Sequence, residues 1–297
     1  MCKNKGVLVA LGTFDGLHEG HRQVLLSDKT EYGEKIALMF SRHPQSVLSG
    51  ETPGELITNQ KKIALLKEWG YRAELVDFKE ISGLSPREFF ENVIIKTFGA
   101  TAICCGFNYR FGKGGEGNVS LLESLCREKG LKLTVCEPVL YNGEAISSTR
   151  IRQSLREGDI KTANAMLGRL FSYSFEVVHG DKRGRILGSP TINQFFSPDF
   201  TVPQFGVYAS VTEVEGKKYI SVTNIGIRPT IGSSEKRSET YILGFEGDLY
   251  GKFIEVSLVE KIRGEKQFAS LEELSKQISE DREKALSIIE KEGLSNV

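Results

Sequence analysis

The spacing of apolar residues changes once along this chain, near residue 170, and that switch constrains the fold more than any single motif. Up to about residue 168, short apolar runs at 7–11, 36–40, 73–76, 102–105 and 131–135 alternate with stretches of helical character. Such alternation builds strand-helix-strand units and a mainly parallel sheet. The helices carry start signals. Ser85 and Glu88 form a capping box with Pro86 at the first helical position, followed by Phe89, Phe90, Val93, Ile94 and Phe98 at helical spacing. Asn118 is placed to cap a helix holding Leu121, Leu122 and Leu125, and Asp159 one holding Ile160, Ala163 and Leu167.

Beyond residue 172 the period becomes two. Val207, Ala209 and Val211 alternate with Tyr208, Ser210 and Thr212, and Ile254, Val256 and Leu258 with Glu255 and Ser257, so each strand has one core face and one other face. Further runs at 174–178, 219–225 and 239–245 complete the pattern of a small antiparallel barrel. A closing helix follows, with a capping box at Ser270 and Glu273. Its apolar stripe of Leu271, Leu274, Ile278, Ala285 and Ile288 or Ile289 is expected to dock on the barrel. The expected class is therefore α/β: an N-terminal Rossmann-like parallel-sheet domain over 1–170, then a small antiparallel β-barrel domain with a C-terminal helix over 171–297. A length of 297 residues suits two domains.

Composition narrows the partners. Lys+Arg and Asp+Glu both number 39, and a chain built for nucleic-acid backbones would carry a basic excess, so no nucleic-acid partner is expected. No apolar run approaches the roughly 20 residues of a membrane span, and the apolar stretch at 6–11 is too short for a signal-peptide core. The five cysteines include no Cys-x-x-Cys pair and read as small buried hydrophobes in a reducing cytoplasm. The oligomeric state is not legible.

The first candidate site follows the first strand. Gly12-Thr13-Phe14-Asp15-Gly16-Leu17-His18-Glu19-Gly20-His21 places two histidines and several glycines between a parallel strand and the helix that begins near Val24. Unpaired N–H groups and the positive end of a helix dipole favour phosphate there, glycines let a nucleotide approach the backbone, and imidazoles donating hydrogen bonds stabilise charge on a reacting phosphate. Two histidines three apart also suit an ordinary turn or a metal. A second element, Ile146-Ser147-Ser148-Thr149-Arg150-Ile151-Arg152, opens another helix with hydroxyls and two guanidiniums suited to a triphosphate. The first stretch resembles the His-x-Gly-His signature of the nucleotidyltransferases related to class I aminoacyl-tRNA synthetases, and the second resembles that superfamily's other phosphate signature. Phe40-Ser41-Arg42-His43-Pro44 and Gly106-Phe107-Asn108-Tyr109-Arg110-Phe111-Gly112 look like the segments lining the FAD synthetase site. The resemblance implies catalytic roles for His18, His21 and Arg152, and binding roles for Gly12, Thr13, Phe14, Asp15, Gly20, Asn108, Arg110, Ser147, Ser148 and Thr149.

The second candidate site opens the barrel half. Gly180-Asp181-Lys182-Arg183-Gly184-Arg185 is a glycine-rich basic loop suited to phosphates or to a plain hairpin, and Thr191 and Asn193 offer neutral oxygens for magnesium. The stretch through Ser189-Pro190-Thr191-Ile192-Asn193 resembles the Gly-Phe-Pro-Thr-x-Asn motif of riboflavin kinases, departing from it at Ser189 and, upstream, at Phe175 where glycine is usual. That resemblance implies binding roles for Gly180, Lys182, Gly184, Arg185 and Pro190, with Thr191 and Asn193 on the metal. The stretch from Asn224 to Thr230 is similar to the family's flap, and Glu239 falls on the strand that carries its general base. Asp248-Leu249-Tyr250-Gly251, Arg263-Gly264-Glu265 and the segment reaching Arg282 extend the likeness over essentially the whole chain. A bifunctional riboflavin kinase and FAD synthetase of the prokaryotic type is thus the expectation, with ATP, Mg²⁺, riboflavin, FMN and FAD as its small molecules. The alternatives left open are a chain in which only the FMN adenylyltransferase site works and a flavin-binding module without turnover.

Overall fold

The computed structural model describes residues 6–50, 52–180, 190–230 and 233–294. The chain divides into two compact units, Met1–Ser148 and Thr149–Val297.

In the first unit, β1 (Val7–Leu11), β2 (Glu34–Phe40), β3 (Arg72–Val76), β4 (Ala100–Gly106) and β5 (Lys132–Cys136) form one sheet in the order β3-β2-β1-β4-β5. Every pairing is parallel. The three inner strands, β1, β2 and β4, are largely apolar and buried on both faces, as a sheet covered by crossover helices requires, while the edge strands β3 and β5 are only partly buried. Val9, Leu11, Ile36, Leu38, Ile103 and Cys105 pack with Phe89, Phe90, Ile94, Leu122 and Leu125. Leu8, Ala10, Ala37, Met39, Ala102 and Cys104 pack on the opposite side with Leu25 and Leu66. The helices are α1 (Glu19–Leu26), α2 (Pro44–Ser49), α3 (Asn59–Glu68), α4 (Phe78–Ile81), α5 (Pro86–Glu88) and α6 (Val119–Lys129).

The Ser85 capping box forms in both directions, Glu88 N donating to Ser85 Oγ at 3.3 Å and Ser85 N to Glu88 Oε2 at 2.8 Å. Behind it the helix departs from the expected α spacing and winds as a π-helix over Phe89–Thr97. Thr97 Oγ1 and Phe98 N both reach back five residues, to the carbonyls of Asn92 and Val93. Asn118 caps α6 through Leu121 N at 2.9 Å, and after β5 the short strands β6 (Leu140–Tyr141) and β7 (Glu144–Ala145) pair antiparallel.

The division falls after the first residue of α7 (Ser148–Glu157), and the second unit continues with α8 (Ile160–Leu167), β8 (Phe171–Glu176), β9 (Thr191–Phe195), β10 (Gly206–Val214), β11 (Lys217–Thr230), β12 (Ser233–Ile242), β13 (Phe253–Arg263) and α9 (Leu271–Lys291). The sheet is antiparallel throughout, in the order β8-β13-β10-β11-β12-β9. Its two edges meet. Val178 N donates to Asn193 O at 2.8 Å, and Gln194 Nε2 on β9 donates to Phe175 O and Ile254 O at 2.7 and 2.8 Å. The helix α8 packs with these strands, its Asn164 side chain donating to Leu258 O and accepting from Phe171 N. The contact division therefore falls ahead of the change of period.

Two expectations need correction in their details. The period-two faces of β10 are real, yet Tyr208, Ser210 and Thr212 are each 0% exposed, as buried as the apolar face. Ala209 and Val211 pack on Ala285 and Ile289 of α9. The hydroxyls on the opposite face satisfy one another: Thr212–Ser221, Ser221–Ser210, Ser210–Thr223 and Thr223–Thr240 lie at 2.7 to 2.9 Å. In α9 the stripe shifts. Leu271 is 66% exposed, while Gln277 and Asp281 are buried with Ala285 and Ile289. Polar residues are tolerated there because Arg263 grips the Asp281 carboxylate through Nε and Nη2 at 2.8 to 3.1 Å and Gln277 donates to it.

Candidate functional site

The first site sits where the sheet order reverses. With β1 flanked by β2 on one side and β4 on the other, the loops leaving the carboxyl ends of β1 and β4 diverge, which opens a crevice for ligand. The loop after β1 is tightly wound, with Phe14, Gly16 and Leu17 all at positive φ (48°, 80° and 44°). Two non-glycine residues in that region within four positions store backbone strain of order 1–3 kcal/mol each. The turn is held by Asp15, whose carbonyl accepts from Ser148 Oγ at 2.9 Å and whose carboxylate accepts from Leu56 N at 3.4 Å.

The turn delivers His18 as the N-cap of α1, its Nδ1 accepting from His21 N at 3.3 Å. The two imidazoles stack with centroids 3.7 Å apart, and His21 meets Phe14 edge-on at 5.5 Å. Gly20 permits this, because a Cβ there would stand 3.1 Å from the His18 ring. Gly12 and Thr13 lead into the turn, Thr13 exposed. Asn108 and Arg110, both exposed, lie on the loop after β4, and Ser147 immediately precedes α7, which carries Thr149 and the buried Arg152. The turn, Ser147 and Ser148 are thus gathered in one unit, while Thr149 and Arg152 follow Ser148 within the first turns of α7.

Sequence reasoning passed over Lys62. It lies on α3, is 7% exposed, and its Nζ donates to Asn59 Oδ1 at 3.4 Å. Burial pulls its ammonium below the usual lysine range, against the opposing pull of Asp15 and Glu55. Its signal was present as a lysine at core spacing with Leu66.

The second site is a cross-strand row on the barrel sheet. Asn193 on β9 stands opposite Glu239 on β12, which stands opposite Asn224 on β11. Thr191 is two residues from Asn193 and stands opposite Tyr241, and the guanidinium of Arg282 lies 5.5 Å from the Tyr241 ring centroid. Gly180 leads in at van der Waals contact, since a Cβ there would lie 2.4 Å from Asn193 Nδ2. Pro190 precedes β9; Lys182, Gly184, Arg185 and Ser189 lie outside the described residues. Asn193 is 6% exposed and its Oδ1 is buried with no hydrogen-bond partner among the described residues. An orphaned neutral oxygen beside a hydroxyl and a carboxylate is a hard donor set, which fits Mg²⁺ arriving with nucleotide phosphates. No cluster of three His, Cys, Asp or Glu side chains suited to hold a metal by itself occurs among the described residues.

A family model for FAD synthetase matches residues 2–150, and one for riboflavin kinase matches residues 167–289. A Bacillus subtilis protein described as a bifunctional riboflavin kinase/FMN adenylyltransferase is 36% identical over 293 residues, which is 94% of this chain and 91% of the relative. The chain belongs to the bifunctional riboflavin kinase/FMN adenylyltransferase family. An Escherichia coli K12 member of the family is 35% identical, covering 93% of this chain and 91% of its own length. The crystal structure of a Streptococcus pneumoniae protein described as a macrolide-efflux protein superposes with a TM-score of 0.85 at 29% identity, covering 95% of this chain and 94% of that one. No described helix of this chain is long and apolar enough to cross a membrane. Within this family member, the departure at Phe175 has a structural explanation: its ring packs among Tyr173, Phe196 and Phe200, with centroids 5.3 to 5.8 Å away, in the barrel wall.

Proposed function

We propose that residues 171–297 phosphorylate riboflavin to FMN with ATP and that residues 1–170 transfer AMP from ATP to FMN, yielding FAD and pyrophosphate in the cytoplasm. The observation that carries the reading is the row Asn193, Glu239, Asn224, which assembles a buried neutral oxygen, a carboxylate and an amide from three strands at one place. In the kinase step a terminal ribityl hydroxyl attacks the γ-phosphorus, the bond to the β–γ bridging oxygen breaks, ADP leaves and Glu239 takes the hydroxyl proton. Thr191 and Asn193 hold magnesium, and Gly180, Lys182, Gly184, Arg185, Pro190, Asn224 and Arg282 surround nucleotide and flavin. Magnesium, when bound, neutralises the nucleotide's phosphate oxygens.

In the adenylylation step a phosphate oxygen of FMN attacks the α-phosphorus and pyrophosphate departs. His18 and His21 donate hydrogen bonds to the charge that develops, and Arg152 adds a guanidinium. Gly12, Thr13, Phe14, Asp15, Gly20, Ser147, Ser148 and Thr149 cradle the nucleotide, with Asn108 and Arg110 toward the flavin.

The test is an end-point assay of the purified chain with riboflavin, ATP and MgCl₂, beside a parallel assay started from FMN, with flavins separated by chromatography. FAD is expected from both. FAD from FMN alone refutes the kinase half, and no product from either refutes both. His21→Ala should abolish most adenylylation and Glu239→Gln most phosphorylation; near-normal rates remove those residues from their roles.

A further inference from the structure

The carboxylate of Glu239 has a cationic neighbour that neither the motifs nor the family resemblance pointed to. Arg237 lies two residues earlier on β12, so the two side chains project from the same face. Its Nη2 stands 2.8 Å from Glu239 Oε1, and the side chains are 15% and 31% exposed. A fully exposed pair at such a distance contributes little, because water screens it and two long side chains lose rotamer freedom. This pair is mostly sheltered, and its carboxylate stands between Asn193 and Asn224 in the register.

We propose that Arg237 is a positioning residue of the kinase site, clamping Oε1 of Glu239 so that Oε2 is presented to the hydroxyl being phosphorylated. The inference rests on the reading of Glu239 as the base. A carboxylate free to rotate about its last torsion spreads its acceptor lone pairs over a wide arc. A guanidinium, planar and always charged, restricts that arc while leaving the second oxygen available. The strand beneath is held from its other face: Ser238 and Thr240, either side of Glu239, are 0% exposed, and Thr240 Oγ1 lies 2.9 Å from Thr223 Oγ1. The clamp therefore acts on a side chain whose backbone is already fixed.

The experiment uses full-length Arg237→Gln and Arg237→Lys, each assayed for riboflavin phosphorylation and, on the same preparation, for FMN adenylylation. Arg237→Gln should lower the kinase kcat by about 10- to 100-fold, the scale of losing acceptor alignment, with KM for riboflavin and ATP within about twofold and adenylylation unchanged. Arg237→Lys should recover part of the kcat. In a Glu239→Gln background, adding Arg237→Gln should cause no further loss, because a residue acting through Glu239 has nothing left to position. A kinase kcat within twofold of wild type in Arg237→Gln overturns the proposal. So does a loss that persists in full in the Glu239→Gln background, or one that falls equally on both activities in both variants. If Glu239→Gln itself phosphorylates riboflavin normally, the base reading fails; if it is inactive while Arg237→Gln is not, only the positioning role fails.

Discussion

Replacing Thr223 by Val cuts the buried hydroxyl chain of the barrel where it passes from β11 to β12. Five hydroxyls, all 0% exposed, run Thr212, Ser221, Ser210, Thr223, Thr240 across three strands. Valine matches threonine in volume and suits a strand, so the perturbation is almost purely the loss of one oxygen. Ser210 keeps Ser221, but Thr240 loses the hydroxyl it shares with the chain. Losing a net hydrogen bond costs about 1 kcal/mol and leaving a buried partner unsatisfied about 1–3, so Thr223→Val should destabilise the barrel unit by about 2–3 kcal/mol. Thr240→Val removes only the terminal member and should cost about 1 kcal/mol, since Thr223 still pairs with Ser210. The double variant leaves no orphan at Thr240, so its cost should fall below the sum of the singles by about 1 kcal/mol. Urea unfolding measures this with two signals. The only tryptophan, Trp69, lies in the first unit and its fluorescence should not move. Far-ultraviolet circular dichroism should show an earlier barrel transition, by about 1 M for a urea slope of about 2 kcal/mol/M. A Thr223→Val protein within about 0.5 kcal/mol of wild type, or strict additivity in the pair, refutes the reasoning.

Asp28 accepts from Thr30 N and Tyr32 Oη at 2.9 and 2.7 Å and pairs with Lys132 Nζ at 2.9 Å. Burial pushes its carboxyl up, but Lys132 and these donors outweigh it and hold the group well below the usual range. A depressed folded value stabilises above the unfolded value of about 3.9 and is lost as pH falls below it. Asp28→Asn should therefore cost about 1–3 kcal/mol at pH 7 by Trp69 fluorescence, the gap closing below about pH 4. Cys104, Cys105, Cys126 and Cys136 are buried, and burial pushes the thiols of Cys105 and Cys126 up to about 12 and about 11. A thiol reagent at pH 8 should titrate none of these four in the native protein and all of them in urea; reaction of any in the native state counts against the packing. Asp281→Ala should cost about 3 kcal/mol by leaving Arg263 without its buried carboxylate, and adding Arg263→Met should restore much of the loss; an Asp281→Ala barrel of unchanged stability contradicts it.

The features legible in the chain were those whose physics is local. Ser85, Asn118, Asp159 and Ser270 cap helices because each cap needs only a hydroxyl, carboxylate or amide within three residues of an unpaired N–H. His18 and His21 are close in sequence, so the turn that stacks them could be placed at a strand end before any tertiary contact was known. What escaped depends on register. Ser210 and Thr212 look like a solvent-tolerant face until β11 and β12 bring Ser221, Thr223 and Thr240 against them, and the satisfaction of one hydroxyl by another is a property of three strands. The polar turns of α9 are of the same kind, since Asp281 is buried only because Arg263 arrives from β13.

The two candidate sites differ in the same way, and the difference bears on how each would fail. The proposed adenylylation site is one strained turn with its anchors at Asp15, so damage to the turn disturbs its histidines together. The row proposed for the kinase site draws Asn193, Asn224 and Glu239 from separate strands, so its geometry is only as good as the ladder beneath it. The hydroxyl chain ties β10, β11 and β12 together on the face opposite that row. A barrel loosened there should lose phosphorylation before it loses its fold, because alignment within an ångström fails at a smaller displacement than burial does.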